Sequence, residues 1–349
     1  MMRCLILVFA AAFCAAAAQA CSVPVFRYAL DRWPADPYVL EVSANDAKDE
    51  GVARFLRNFT DSTPLNLVPQ RSKEIGPSRL AFPRALLDAA PMWSDALGSN
   101  TLPLLTDSPA RTELAHRILA GETAVWLLVE SGDKQTDDRT AAALEKRLHY
   151  LEQAADIPAI DPDDPSSELG PGPVLRVKFS LLRVRRDDAA EQPFLKMLAG
   201  PKHETTPSNG PWLALVFGRG RVLGAWPAEG FGDEQIDEAC MFLLGACSCQ
   251  VKRMNPGWDL LLNVDWDGAL QAIGFPKNDT PPTVVSPVPE VSQVSNAVTV
   301  DAAKIETVTI AAASPIATPP AHGTGAATGL AAAALLVLGS ALAWRTMKR

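Results

Sequence analysis

Four cysteines beyond the amino-terminal segment are the residues of this sequence best able to carry chemistry. They are Cys21, Cys240, Cys247 and Cys249, and the first 14 residues hold two more. Thiolates at Cys247 and Cys249, which are separated by one residue, could exchange disulfides or bind a soft ion such as Cu(I) or Zn(II). Together with Cys21 they form the candidate thiol or metal site of the chain.

The same cysteines also allow a structural interpretation. An even number of cysteines favours disulfides in a chain that is exported. Cys240 and Cys247 lie on one predicted helix, roughly 10 Å apart, which exceeds the ~7 Å limit for a disulfide. A bridge between Cys247 and Cys249 would close a strained ring, whereas a bridge from Cys21 to this cluster would be less strained. The pattern favours structural disulfides or buried thiols over thiol exchange and metal binding.

A glycine–arginine run is the second candidate for chemistry. Gly218, Arg219, Gly220 and Arg221 could cradle an anion, because glycine backbone and guanidinium groups suit phosphate. The run lacks the length and the Lys-Ser/Thr ending of a P-loop. Since it separates two predicted strands, a hairpin turn is the favoured interpretation.

Further catalytic signatures are missing from the sequence. It contains no Gly-x-Ser-x-Gly, His-Glu-x-x-His or dinucleotide-binding motif. Asp133, Asp137 and Asp138 could ligate calcium, but their spacing is not that of an EF-hand, and a solvated helix start is favoured. With four histidines in 349 residues, histidine-based metal sites are scarce. The sequence supports no particular reaction and favours a non-enzymatic role.

The first 20 residues predict a secretory signal peptide. A positive charge at Arg3 precedes an apolar run, and Ala18-Gln19-Ala20 supplies an Ala-x-Ala cleavage site. Cleavage after residue 20 would make Cys21 the first mature residue, where a lipid could be attached. Ala18 stands where bacterial lipoproteins usually carry leucine, which weakens the lipoprotein interpretation.

The other end of the chain predicts a single transmembrane helix at 326–344. This segment carries no charge and approaches the ~20 residues needed to cross a bilayer. Trp344 suits the membrane interface, and the basic tail 345–349 should stay in the cytoplasm by the positive-inside rule. Both ends therefore predict a single-pass protein of the bacterial cell membrane with its N-terminal part outside. A sorting tail removed by an envelope protease is the alternative.

Composition limits the kinds of partner that the chain can bind and predicts one disordered segment. Without the four basic residues of the two end segments, 28 basic and 40 acidic side chains remain, a net charge of −12. An acidic surface argues against nucleic acid or anionic lipid as the main partner. Residues 277–325 are rich in proline, with few charges and no aromatics, so they predict a disordered stalk between the folded part and the membrane.

Apolar patterning predicts an α/β fold with two subdomains, 21–160 and 174–270. The acidic and Pro/Gly-rich segment 161–173 reads as the linker between them. In the first subdomain, strands are predicted at 38–42 and 124–129, with helices between and after them.

The second subdomain has a clearer pattern of elements. A strand is predicted at 174–184 and a helix at 194–198. Strands at 212–217 and 222–226 and a helix at 234–246 follow. This β-α-β-β-α order resembles the thioredoxin-like fold, best over 174–250 and more loosely over 22–153. The resemblance implies fold alone, because the family's two cysteines, separated by two residues at the start of a helix, are absent.

The arrangement of signal, stalk and span also resembles uncharacterised single-pass envelope proteins of bacteria. The sequence thus predicts a membrane-tethered extracytoplasmic binding or assembly module, with an envelope protein as its partner and without a catalytic site. The alternative is an envelope thiol protein that uses Cys247 and Cys249 for disulfide exchange or for Cu(I) or Zn(II) binding.

Overall fold

A computed structural model describes the folded region of the chain. It covers residues 22–275 apart from 74, 84–90, 162, 202–208 and 248–249. The predicted signal peptide, stalk, transmembrane helix and cytoplasmic tail lie outside these residues. Within the described part, no helix is both long and apolar enough to span a membrane.

Helices and strands alternate along most of this region, as the apolar patterning predicts. The helices are α1 Val25–Arg32, α2 Glu50–Asn58, α3 Thr101–Thr106, α4 Pro109–Leu119, α5 Lys134–Ala154, α6 Gln192–Ala199, α7 Asp233–Leu244 and α8 Trp266–Ile273. The strands are β1 Tyr38–Val42, β2 Leu67–Arg71, β3 Ser78–Ala81, β4 Trp93–Asp95, β5 Ala124–Glu130, β6 Phe179–Arg185, β7 Trp212–Phe217, β8 Arg221–Pro227 and β9 Trp258–Asp259. They form a mixed α/β structure with two sheets.

The larger sheet has five strands in the order β6-β5-β7-β8-β9. β5 and β6 are parallel, β7 is antiparallel to β5, and β7 and β8 form a hairpin. β5 is a continuous apolar run, which is typical of a strand covered on both faces. Residues 124–129 are indeed fully buried.

Alternating side chains of β5 face two separate hydrophobic clusters. Val125, Leu127 and Val129 lie in one cluster with α4 and α6. Trp126 and Leu128 lie in the other with α1, α5 and α7. α5 and α6 therefore pack on opposite faces of the sheet, because successive strand residues point to opposite sides.

The smaller sheet has four short strands in the order β2-β1-β3-β4. β1 pairs in parallel with β2 and antiparallel with β3. Side chains join this sheet to the larger one: the Tyr38 hydroxyl donates to the carbonyl oxygen of Asp259 (2.9 Å), and the Asn66 amide donates to that of Leu260 (2.9 Å).

The predicted boundary at 161–173 falls within the connection between two paired strands. β5 belongs to the first predicted subdomain and β6 to the second, yet the two pair along their whole lengths. A parallel pair needs a crossover of a dozen or more residues, and α5 with the following loop supplies it. The loop is fixed by its own contacts, since Arg27 donates to the carbonyl oxygens of Gly170 and Pro173. The strand predicted at 174–184 begins at Phe179.

Candidate functional site

An open cleft lies at the ends of β5 and β6. Its volume is about 560 Å³. The described lining comes from the β5–α5 connection and from the end of β6: Glu130, Ser131, Gly132, Lys134, Asp137, Arg183, Arg185, Arg186 and Asp187.

The topology of the sheet explains why a cleft forms here. The carboxyl ends of β5 and β6 lie side by side because the strands are parallel. From β5 the chain enters α5 on one face of the sheet, and from β6 it enters α6 on the other face. Two neighbouring parallel strands whose connections part in this way leave a crevice, and open α/β sheets bind ligands at such switch points.

The loop that follows β5 is held by an internal carboxylate. Asp137, which is buried, accepts hydrogen bonds from the Ser131 amide (2.8 Å), the Ser131 hydroxyl (2.9 Å) and the Gly132 amide (3.0 Å). Asp133 caps the start of α5 by accepting from the Gln135 amide (3.1 Å). Both carboxylates accept hydrogen bonds from neighbouring backbone and side-chain groups, and these bonds fix the turn that precedes α5.

Basic side chains from the end of β6 form the other wall. Arg183 donates through Nε to Glu130 (2.6 Å) and through Nη2 to Asp138 (2.8 Å). Arg185 makes two bonds to Asp187, of 3.0 and 2.8 Å, and both side chains are about 70% exposed (69% and 72%). The neighbouring basic groups also have partners: Lys134 pairs with Asp138, and Arg186 donates to the carbonyl oxygen of Gly210.

The ion pairs of the cleft wall favour the charged forms of Asp138, Asp187, Arg183 and Arg185. Hydrogen bonds from Lys134 and Arg183 lower the pKa of Asp138, and that from Arg185 lowers the pKa of Asp187. In turn, their carboxylate partners raise the pKa of Arg183 and Arg185. The cleft wall is therefore a lattice of ion pairs that is partly open to water.

The structure describes only part of the predicted thiol site. Cys21 and Cys249 lie outside the described residues, whereas Cys247 is buried and its amide donates to the carbonyl oxygen of Val23 (2.9 Å). Among the residues described, no group of three or more His, Cys, Asp or Glu side chains is arranged to hold a metal ion.

Cys240 lies on the buried face of α7. It is a fully buried free thiol, in the hydrophobic cluster that includes Trp126. Burial raises the pKa of this thiol to about 12. Because the thiolate is the reactive form, Cys240 is an inert structural residue.

The predicted anion turn is a hairpin turn in the structure. Gly218 and Gly220 have positive φ angles of 56° and 85° between β7 and β8. The Arg219 guanidinium bonds to the carbonyl oxygen of Leu30 (2.7 Å) and to Asp267 (2.7 Å). These contacts leave the turn without a cradle, because Arg219 is bound to the protein's own acceptors.

Arg221 lies deeper and organises the segment before β9. It forms a buried ion pair with Asp259 (3.0 Å), and the two side chains are 6% and 2% exposed. It also donates to the carbonyl oxygens of Asn255 (2.9 Å), Pro256 (3.1 Å) and Gly257 (3.0 Å). This side chain, which is buried, therefore stabilises the fold.

The cleft was missed in the sequence, although signals for it exist. A buried strand that ends in Ser131-Gly132-Asp133 before a helix is typical of a turn at the carboxyl edge of a sheet. Three arginines, 183, 185 and 186, lie at or just after the end of the next predicted strand, 174–184. Recognising that these strands are parallel neighbours would have brought the two signals together.

Comparison with known proteins gives no family for the chain. A scan against protein-family models finds no match, and neither does a search of curated proteins.

We predict a disulfide between Cys21 and Cys249. Pro24 forms an isolated antiparallel bridge with Ala246, and the Cys247 amide donates to the carbonyl oxygen of Val23, so the described residues that follow Cys21 lie beside those that precede Cys249. The Cys247 side chain is buried, which favours Cys249 as the partner of Cys21. Mass spectrometry of a non-reduced digest should show the two peptides linked. A link from Cys21 to Cys247, or a lipid on Cys21, would contradict this pairing.

We expect Cys240 to resist alkylation in the native chain. Burial keeps its thiol protonated, so reduced protein treated with iodoacetamide at pH 8 should leave Cys240 unmodified for hours. The same treatment in urea should modify it fully, as peptide mass spectrometry would show. Rapid native alkylation would show that the thiol is accessible and would revive a reactive role.

Replacing Arg221 with leucine should strongly destabilise the fold. The change leaves Asp259 with Lys252 as a remaining charged partner and removes the donor of three carbonyl oxygens, so the unfolding free energy should fall by about 3 kcal/mol. Urea denaturation followed by tryptophan fluorescence measures the loss. Arg57→Leu, at an exposed position of α2, is the control and should change stability by less than about 0.5 kcal/mol. Equal effects of the two substitutions would refute the structural role of Arg221.

Proposed function

We propose that this chain is a membrane-tethered extracytoplasmic binding module whose ligand site is the switch-point cleft. The position of the cleft carries the proposal, since it lies where the topology of the sheet leaves the carboxyl ends of two parallel strands open. The predicted signal peptide, stalk and transmembrane helix supply the tether. A protein of the bacterial envelope and the membrane itself are the proposed partners, and nucleic acid is not.

The finer fold assignment is part of the same proposal. Residues 124–244 run β5-α5-β6-α6-β7-β8-α7, with β6 on one side of β5 and the hairpin on the other. This order supports a thioredoxin-like fold that starts at β5, earlier than the patterning alone predicts. The helix that follows β5 begins with Lys134 and has no cysteine at its start, which supports binding over disulfide exchange.

The chemistry of the described lining also supports binding over catalysis. It includes no cysteine and no histidine. Its one hydroxyl, on Ser131, donates to Asp137 and accepts from the Asp133 amide (3.1 Å). Nucleophilic catalysis needs an adjacent base that can take the proton of the nucleophile, whereas Asp137 already accepts three hydrogen bonds.

The thiol alternative rests on Cys21, Cys247 and Cys249. The burial of the Cys247 side chain does not favour it, because exchange and metal capture need an accessible thiolate. The disulfide mapping and alkylation described above test this alternative directly.

Two measurements in a bacterial host test the proposed function. The full-length chain should be in the membrane fraction, and protease added to spheroplasts should digest its folded region. A variant that lacks residues 326–344 should be exported but released from the membrane. A chain that is protected until the cells are lysed would contradict the proposed topology.

The second measurement tests whether the cleft is the binding surface. A photo-reactive residue in place of Asp187, on the cleft wall, should cross-link to an envelope component in intact cells. The same residue in place of Tyr150, which is exposed on α5 (53%), is the matched control and should not. Equal cross-linking at both positions would contradict the cleft as the binding site.

A further inference from the structure

We propose that the cleft at the ends of β5 and β6 binds a small molecule through a carboxylate or phosphate group held by Arg183 and Arg185. The inference rests on the proposed function, in which this cleft is the ligand site, and adds the chemical class of the ligand.

The cleft lining carries more basic than acidic side chains. Four basic side chains line the cleft against three carboxylates, in a chain whose predicted external part carries a net charge of −12. One of the three, Asp137, is buried and turned toward the amides of Ser131 and Gly132. Asp138 on α5 also pairs with Lys134 and Arg183, so the cleft keeps a small excess of cationic groups, which favours an anion.

The exposed pair of Arg185 and Asp187 is the second argument. Ion pairs between exposed side chains contribute little to stability, so an incoming anion can replace Asp187 at small cost. The Arg185 guanidinium already presents Nε and Nη2 to a carboxylate in a two-bond arrangement. A carboxylate or phosphate of a ligand fits the same fork.

Arg183 supplies a second, better fixed guanidinium. Its Nε and Nη2 groups are held by Glu130 and Asp138. Arginine has five N–H donors, so donors remain for a ligand while these two bonds fix the orientation of the side chain. A preoriented group loses less conformational entropy when the ligand binds.

The backbone amides of the loop after β5 already have acceptors, so an anion in the cleft must be bound by side chains. Helix starts often bind anions through free backbone amides, but here the Ser131 and Gly132 amides already donate to Asp137. The ligand anion must therefore be held by guanidinium groups, and its affinity should fall as salt increases. The volume of about 560 Å³ lies within the range of small-molecule sites.

The test is isothermal titration of the purified full-length chain in detergent at low salt. Pyrophosphate and citrate are the two probes, and a preference between them tells whether the site takes phosphate or carboxylate. We expect at least one to bind, with affinity lowered about tenfold or more by Arg185→Gln and by Arg183→Gln. Arg57→Gln is the control and should bind as the parent chain does.

A substitution with the opposite effect makes the test sharper. Asp187→Asn removes the carboxylate that competes for Arg185, so it should tighten anion binding severalfold. All these positions are partly exposed, and thermal melting confirms that each variant is folded. Absence of binding by either probe, or weaker binding in Asp187→Asn, would overturn the inference. In that case, retained cross-linking at position 187 would leave the proposed binding function intact.

Discussion

Burial of β5 is the constraint on which the rest of the structure depends. Residues 124–129 are excluded from water on both faces, and both edges of the strand are hydrogen-bonded, by β6 and by β7. Each fully buried large apolar side chain contributes about 1.5–3 kcal/mol, so this strand recruits helices to both faces. The helices that follow β5 and β6 must then part to opposite sides, and the cleft is the consequence.

A group of polar contacts around Asp259 joins the two sheets, where apolar packing alone would not fix their relative position. Asp259 accepts from Arg221 and from the Asp36 amide, and it pairs with Lys252, while its carbonyl oxygen accepts from the Tyr38 hydroxyl. Burial raises the pKa of Tyr38 well above its ordinary value. Such groups are costly to bury without partners, so they tolerate few alternative arrangements, which makes the contact between the sheets specific.

Three strongly patterned strands could be predicted from the sequence, whereas β2, β3 and β4 of the small sheet could not. The predicted strands at 38–42, 124–129 and 212–217 match β1, β5 and β7 within a residue. β5 and β7 are continuous apolar runs, and β1 is rich in apolar residues typical of strands. β2, β3 and β4 have three to five residues and are defined by pairing across the chain, which local patterning does not encode. The cleft was missed for the same reason, since it depends on β5 and β6 being neighbours.

Depth in the fold separates the arginines of this chain into two kinds, although the sequence presents them alike. A buried guanidinium must find acceptors within the protein, and Arg221 does so with Asp259 and three carbonyl oxygens. A guanidinium at the edge of the sheet keeps contact with water and can exchange its partner. The composition of the Gly-Arg run at 218–221 suits an anion site, but the position of each arginine in the fold determines whether its guanidinium can bind a ligand. Arg183 and Arg185 lie at the end of an edge strand beside the cleft, where they keep contact with water and can exchange partners. Arg219 and Arg221 are held by acceptors within the protein.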